Sequence, residues 1–182
     1  MRKVILYIAA SLDGYIADVN GGVEWLESIP NPDKTDYGYQ SFYDNIEATI
    51  MGYGTFQQLI DWDIPFPYIG KDNYVVTRKS SPPVHPHVSF ITEDHLENIK
   101  KIKQREGGNI WLIGGSQLNT FFLNNDLIDT IHIFTMPIIL NDGFKIFSKP
   151  FSLKKLKLTS TERYTNGVIR SVFDLNHYSN IR

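Results

Sequence analysis

Short runs of β-branched and aromatic residues recur along the chain, separated by polar stretches that hold the turn formers. Eight such runs predict strands: Lys3–Ala10, Ala48–Met51, Asn73–Thr77, Val88–Ile91, Ile110–Ile113, Thr130–Thr135, Leu156–Tyr164 and Val168–Leu175. Several are almost continuously apolar, the pattern of central strands covered on both faces. Helical spacing appears between them. From Glu93 to Arg105, Leu96, Ile99 and Ile102 recur every three residues, with Thr92 placed to cap and Glu93 and Asp94 at the positive end of the helix dipole. Lys100, Lys101, Lys103 and Arg105 lie toward the other end, and Gly107-Gly108 stops the segment. A second helix is predicted from Ser116, burying Leu118, Phe121 and Phe122 before Asn124-Asn125. A third, short one follows Gly54 with Phe56, Leu59 and Ile60 inward.

The order strand–helix–strand through residue 135 implies an α/β fold, a mainly parallel central sheet flanked by crossover helices. The last third departs from it. Two long strand-like runs flank Asn166-Gly167, and both of these residues tolerate positive φ, so an antiparallel hairpin should finish one edge of the sheet. With 182 residues and no internal repeat, one domain spanning residues 1–182 is expected.

Composition narrows the function classes. Eighteen Lys and Arg against 20 Asp and Glu leave a formal charge of −2, without the basic excess of a nucleic-acid binder. The chain has no cysteine, which removes disulfides, thiol catalysis and cysteine-ligated metals together. The apolar run Val4–Ala10 is too short to span a bilayer and is interrupted by Ser11, Asp13 and Gly14. A cytoplasmic protein without a membrane or nucleic-acid partner is expected, and no metal site is read from its histidines.

Two junctions share one construction, an apolar strand, glycines, then a helix: ATIMGYGTF (Ala48–Phe56) and IWLIGGSQL (Ile110–Leu118). Glycine lets the backbone approach a ligand, and the free N–H groups that open a helix attract phosphate oxygens. Thr55 and Ser116 each add a hydroxyl in the first helical turn. Neither junction is a P-loop or a Rossmann fingerprint. A dinucleotide whose phosphates are shared by two helix ends fits better, at the carboxyl ends of parallel strands where α/β ligands bind. Thr77-Arg78-Lys79 follows a strand and offers a hydroxyl and two cations to an adenosine-ribose phosphate. Ala9 and Ala10 leave room for a flat ring, and Asp13-Gly14 forms a turn.

These pieces resemble the dihydrofolate reductase-like superfamily, and within it the branch that looks like the reductase domain of bacterial riboflavin biosynthesis. The matching segments are SLDGYIA (Ser11–Ala17), IMGYGTF (Ile50–Phe56), YVVTRK (Tyr74–Lys79), WLIGGSQL (Trp111–Leu118), PIILNDGFKIF (Pro137–Phe147) and the hairpin around NGVIR, in the family's order. The resemblance implies NADPH-dependent reduction of a ring C=N or a ribose-type carbonyl on a small-molecule substrate, and a homodimer. By position it implies that Ala9, Ile16 and Ala17 border the nicotinamide. Gly52, Tyr53, Gly54 and Thr55 would meet the pyrophosphate on one side, and Gly114, Gly115, Ser116, Gln117 and Leu118 on the other. Thr77 and Arg78 would face the adenosine end.

Two positions depart from the family's pattern. Tyr53 stands where a basic residue is common, which leaves NADH open, and Asn141 stands where the riboflavin branch often has glycine. The buried carboxylate that dihydrofolate reductases use to assist protonation corresponds by distance to Asp36, with a loop or cap aspartate as the competing reading, and Asp44 and Glu47 behind it. The segment Ile29–Tyr39 is a long loop of the kind that sets substrate choice. The alternative to a reductase is a non-catalytic nucleotide-binding homodimeric module that keeps the same cleft.

Overall fold

The structure is a computed structural model, and it describes residues 1–175. Eight strands form one sheet: β1 (Val4–Ser11), β3 (Ile46–Gly52), β4 (Asp72–Val76), β5 (Ser89–Ile91), β6 (Asn109–Gly114), β7 (Thr130–Met136), β9 (Lys157–Arg163) and β10 (Ile169–Asp174). Their spatial order is β5-β4-β3-β6-β1-β7-β10-β9. All pairs from β5 to β7 are parallel, and β10 runs antiparallel to both β7 and β9. This is the mainly parallel sheet with a C-terminal hairpin at one edge that the residue pattern predicts. Two further short strands, β2 (Tyr15–Ala17) and β8 (Phe144–Lys145), pair antiparallel as a separate small sheet.

Alternation along β1 builds both halves of the core. Val4, Leu6 and Ile8 face one side with Ile50, Ile110 and Leu112, under Ile99 and Ile102 of α3 (His95–Gln104) and Phe122 of α4 (Ser116–Asn124). Ile5 faces the other side with Met51 and Trp111, under Phe42 of α1 (Tyr39–Asp44) and Phe56 and Leu59 of α2 (Tyr53–Asp61). At the opposite end of the strands Lys103 is buried, its ammonium held by the Leu127 carbonyl and the Asp129 carboxylate.

Several local details differ from the sequence-based expectation. The helix predicted from Glu93 starts at His95, because Asp94 adopts a left-handed φ of 45°, and no side chain, Thr92 included, caps its start. Ile60 is 40% exposed rather than inward, since the buried stripe of α2 runs through Phe56 and Leu59 and a further residue rotates it off that face. In the hairpin only Gly167 takes positive φ, at 89°. The Gly167 amide donates to the Tyr164 carbonyl at 3.1 Å and the Tyr164 amide to the Val168 carbonyl at 2.9 Å, which makes a three-residue loop closed by a left-handed glycine. Helix α1, the 3-10 turn Glu24–Ser28 and the β2–β8 sheet went unpredicted.

Candidate functional site

Strands β3 and β6 are neighbours, so the two glycine junctions lie side by side at their carboxyl ends. A Cβ built on Gly52 would stand 3.7 Å from the Gly114 carbonyl oxygen, and one built on Gly115 would stand 3.7 Å from Thr55 Oγ1. Both α2 and α4 are nine residues long and start without a side-chain cap, which leaves their first-turn N–H groups free to receive an anion. They open onto one crevice of about 1570 Å³.

Ala9, Ile16, Ala17, Gly52, Tyr53, Gly54, Thr55, Thr77, Arg78, Gly115, Ser116, Gln117 and Leu118 all line this crevice. Gly114 stands just behind its wall and is joined to Gly115 by a cis peptide. Gly54 is notable for what surrounds it: a Cβ there would meet nothing within 4 Å. The Ser116 hydroxyl, by contrast, is committed to the Lys145 carbonyl, so this residue offers its amide rather than its hydroxyl. Thr77 Oγ1 accepts from the Lys79 amide at 3.1 Å, and His95 Nε2 meets the Thr77 carbonyl at 2.9 Å, which fixes the turn that carries Arg78. Lys79 folds back over the crevice, its Nζ 4.0 Å from the centroid of the Tyr53 ring.

The segment 137–148 closes the wall beside Ala17. Asp13 anchors it: its carboxylate accepts from the Ser11 hydroxyl at 2.6 Å and from the amides of Leu140 and Asn141 at 3.1 and 2.8 Å. The Ser11 hydrogen bond, reinforced by those two amides, holds the Asp13 carboxyl down at about 2. Asn141 takes the left-handed φ of 68° that its side chain tolerates, and Phe144 arrives at the crevice rim.

Asp36 lies elsewhere. Its carboxylate accepts from the Gly38 and Gln40 amides, both at 2.9 Å, and so opens helix α1. It is not among the residues lining the crevice, and the Gln40 and Gly38 hydrogen bonds lower its pKa. A carboxylate that accepts two amides at a helix start is a cap. Glu47 is exposed beside Arg2, and Asp44 accepts from Gln40 Nε2.

Sequence reasoning passed over Tyr7 and Gln58, which line the crevice together with Trp62 and Tyr68. Tyr7 was legible, since alternation on a strand puts it on the same face as Ala9. Burial raises the Tyr7 and Tyr68 phenols well above their usual range, so both stay protonated at neutral pH. Gln58 Nε2 donates to the Gly21 carbonyl at 2.8 Å and ties the loop after β2 to α2. Nothing in the sequence pairs those two residues.

The chain matches the family described as RibD C-terminal domain over residues 2–170. It is 35% identical over 167 residues to the uncharacterized protein YwjB of Bacillus subtilis (strain 168), covering 92% of this chain and 95% of that one. Among solved structures it is similar to a putative riboflavin biosynthesis protein from Shewanella sp. PV-4, with a TM-score of 0.85, 26% identity and coverage of 95% and 98%. The fold extends to a diaminohydroxyphosphoribosylaminopyrimidine deaminase/5-amino-6-(5-phosphoribosylamino)uracil reductase from Thermotoga maritima, with a TM-score of 0.72 and 20% identity over 96% of this chain and 56% of that one. It also extends to the dihydrofolate reductase of Enterococcus faecalis solved with NADP(H), with a TM-score of 0.69 and 14% identity over 96% of each chain. The fold is thus dihydrofolate reductase-like.

Proposed function

The chain belongs to the RibD C-terminal domain family, and from that premise we propose that it is an NAD(P)H-dependent reductase acting on a small heterocyclic or ribosylamine-type molecule. One observation carries the reading: two uncapped helix starts, on adjacent strands, open onto one crevice beside a glycine that faces empty space. Neither backbone conformation nor packing explains Gly54; room for a ligand does.

In this reading the amides of residues 52–55 and 115–118 hold the diphosphate between two positive helix ends, with Gly114 setting the bend behind them. Thr77 and Arg78 take the adenosine end. Lys79, lying on Tyr53, returns a cation to the position where the family's basic residue is missing, which favours NADPH over NADH. Ala9, Ile16 and Ala17 border the nicotinamide, which when bound supplies the hydride. The chain's own contribution is orientation and exclusion of water, with the proton drawn from solvent. Asp36 in this account caps α1 and carries no proton. A homodimer belongs to the same proposal: among the described residues β9 is an edge strand whose seven residues are all exposed, a row of main-chain groups open to a second copy.

The test is NADPH titration followed by tryptophan emission, with Trp62 on the crevice wall, and then loss of NADPH absorbance with a panel of pterins, pyrimidines and ribosylaminopyrimidines. Quenching and oxidation by at least one compound are expected. Quenching without oxidation across the panel would favour the non-catalytic module, and no emission change at millimolar NADPH would remove the reading.

A further inference from the structure

We propose that the substrate half of the crevice accepts a neutral or cationic heterocycle and rejects one that carries a phosphate or carboxylate. The proposal rests on the reductase reading, which assigns the crevice its two halves, and its argument is the distribution of charge along the walls.

The two cations on the wall, Arg78 and Lys79, both follow β4, at the end given to the adenosine. The other charged lining groups among the described residues are Asp18, Glu24 and Asp61, all acidic. Asp61 is the last residue of α2, eight residues beyond Tyr53, so about 12 Å of helix separates it from the first-turn amides. The Gln58–Gly21 hydrogen bond pins the loop carrying Asp18 and Glu24 against that same helix. These two carboxylates converge on Gly22, where an added methyl group would run into an oxygen of each. Lys71, the cation nearest in sequence to this wall, is turned away, its Nζ donating to the carbonyls of Tyr43 and Ile46 at 3.2 and 2.6 Å.

An anionic substituent entering here would lose hydration, gain no cationic partner and face carboxylates of its own sign. The helix-start amides cannot serve it, because the cofactor's diphosphate occupies them in this reading. What the wall does offer is flat and apolar, with Tyr7, Leu59 and Tyr68 facing the space. The chain thereby parts from the Thermotoga maritima reductase, whose name specifies a phosphoribosyl substrate.

The experiment uses protein saturated with NADPH and three diaminopyrimidines that differ only in one substituent: hydroxymethyl, aminomethyl or phosphomethyl. Dissociation constants are read by emission at low and high salt. The first two ligands should bind, and the phosphate should bind at least about tenfold more weakly, by less at high salt. Glu24→Lys combined with Asp61→Lys, both at exposed positions, should shrink or reverse that ratio. Equal or tighter binding of the phosphate by the unaltered protein, a ratio indifferent to the double substitution, or no binding by any of the three would overturn the proposal. The preceding NADPH titration reports on the reductase reading separately.

Discussion

At position 54 the missing side chain has no origin in the protein itself. The residue sits in the first turn of α2 without the positive φ that calls for glycine, and a Cβ there would meet nothing within 4 Å. Gly143 is the contrast: its φ is 136°, and a Cβ would run into the Ala17 carbonyl, so packing and backbone both demand glycine. The two positions should separate cleanly on substitution. Gly54→Val is expected to leave stability within about 0.5 kcal/mol, since valine is no worse than glycine in a helix, while NADPH affinity falls by at least about tenfold as the side chain fills the phosphate approach. Gly143→Ala should lower the melting temperature. Differential scanning calorimetry with NADPH titration of both variants checks the pair; a Gly54→Val protein that binds NADPH normally would contradict the assignment.

At the scale of elements, the strands of the large sheet and the three helices α2, α3 and α4 were readable because periodicity reports burial, and here burial dominates. What escaped were pieces organised around one polar side chain, Asp36 for α1 and Asp13 for the segment 137–148. Helix α1 has six residues and starts from the Asp36 carboxylate after a left-handed Gly38, in a stretch whose Pro30, Pro32 and Gly38 read as loop. The β2–β8 sheet depends on Asp13 reaching more than a hundred residues along the chain to Leu140 and Asn141, a pairing with no local signature. The candidate site divides the same way. Glycine junctions announced the two helix starts, whereas the walls around Gln58 and Phe144 depend on tertiary contacts. Asp36→Asn tests the element directly, since asparagine keeps one of the two acceptor oxygens that open α1 and no carboxylate. The variant should lose some melting temperature, as one amide of the helix start goes unpaired, but keep its NADPH affinity, with turnover within about threefold of the parent. A fall in turnover of orders of magnitude would return Asp36 to the chemistry.

Over the whole molecule, a second concavity of about 500 Å³ lies apart from the crevice, between α1 and the terminal hairpin, where His132 on β7 meets Arg170 on β10. Arg170 donates to His132 Nδ1 at 3.3 Å, so the imidazole is neutral there. Burial, and secondarily the Arg170 charge, push the His132 pKa down to about 4. The unfolded chain therefore binds a proton near pH 6.5 that the folded chain refuses until about pH 4. Its contribution to stability is complete above pH 6.5 and shrinks as the pH falls toward 4. Melting temperature should drop across that window, and His132→Gln should flatten the drop; a parent protein whose melting temperature is constant between those values would contradict the burial of this imidazole.

The sheet order carries the largest claim, since it alone sets the two helix starts side by side at the ends of β3 and β6. The most direct measurement is a crystal structure of the protein grown with NADPH. Density for the diphosphate between residues 52–55 and 115–118, with the nicotinamide against Ala9 and Ala17, is the predicted result. A nucleotide bound elsewhere, or this gap left empty at saturating NADPH, would contradict it.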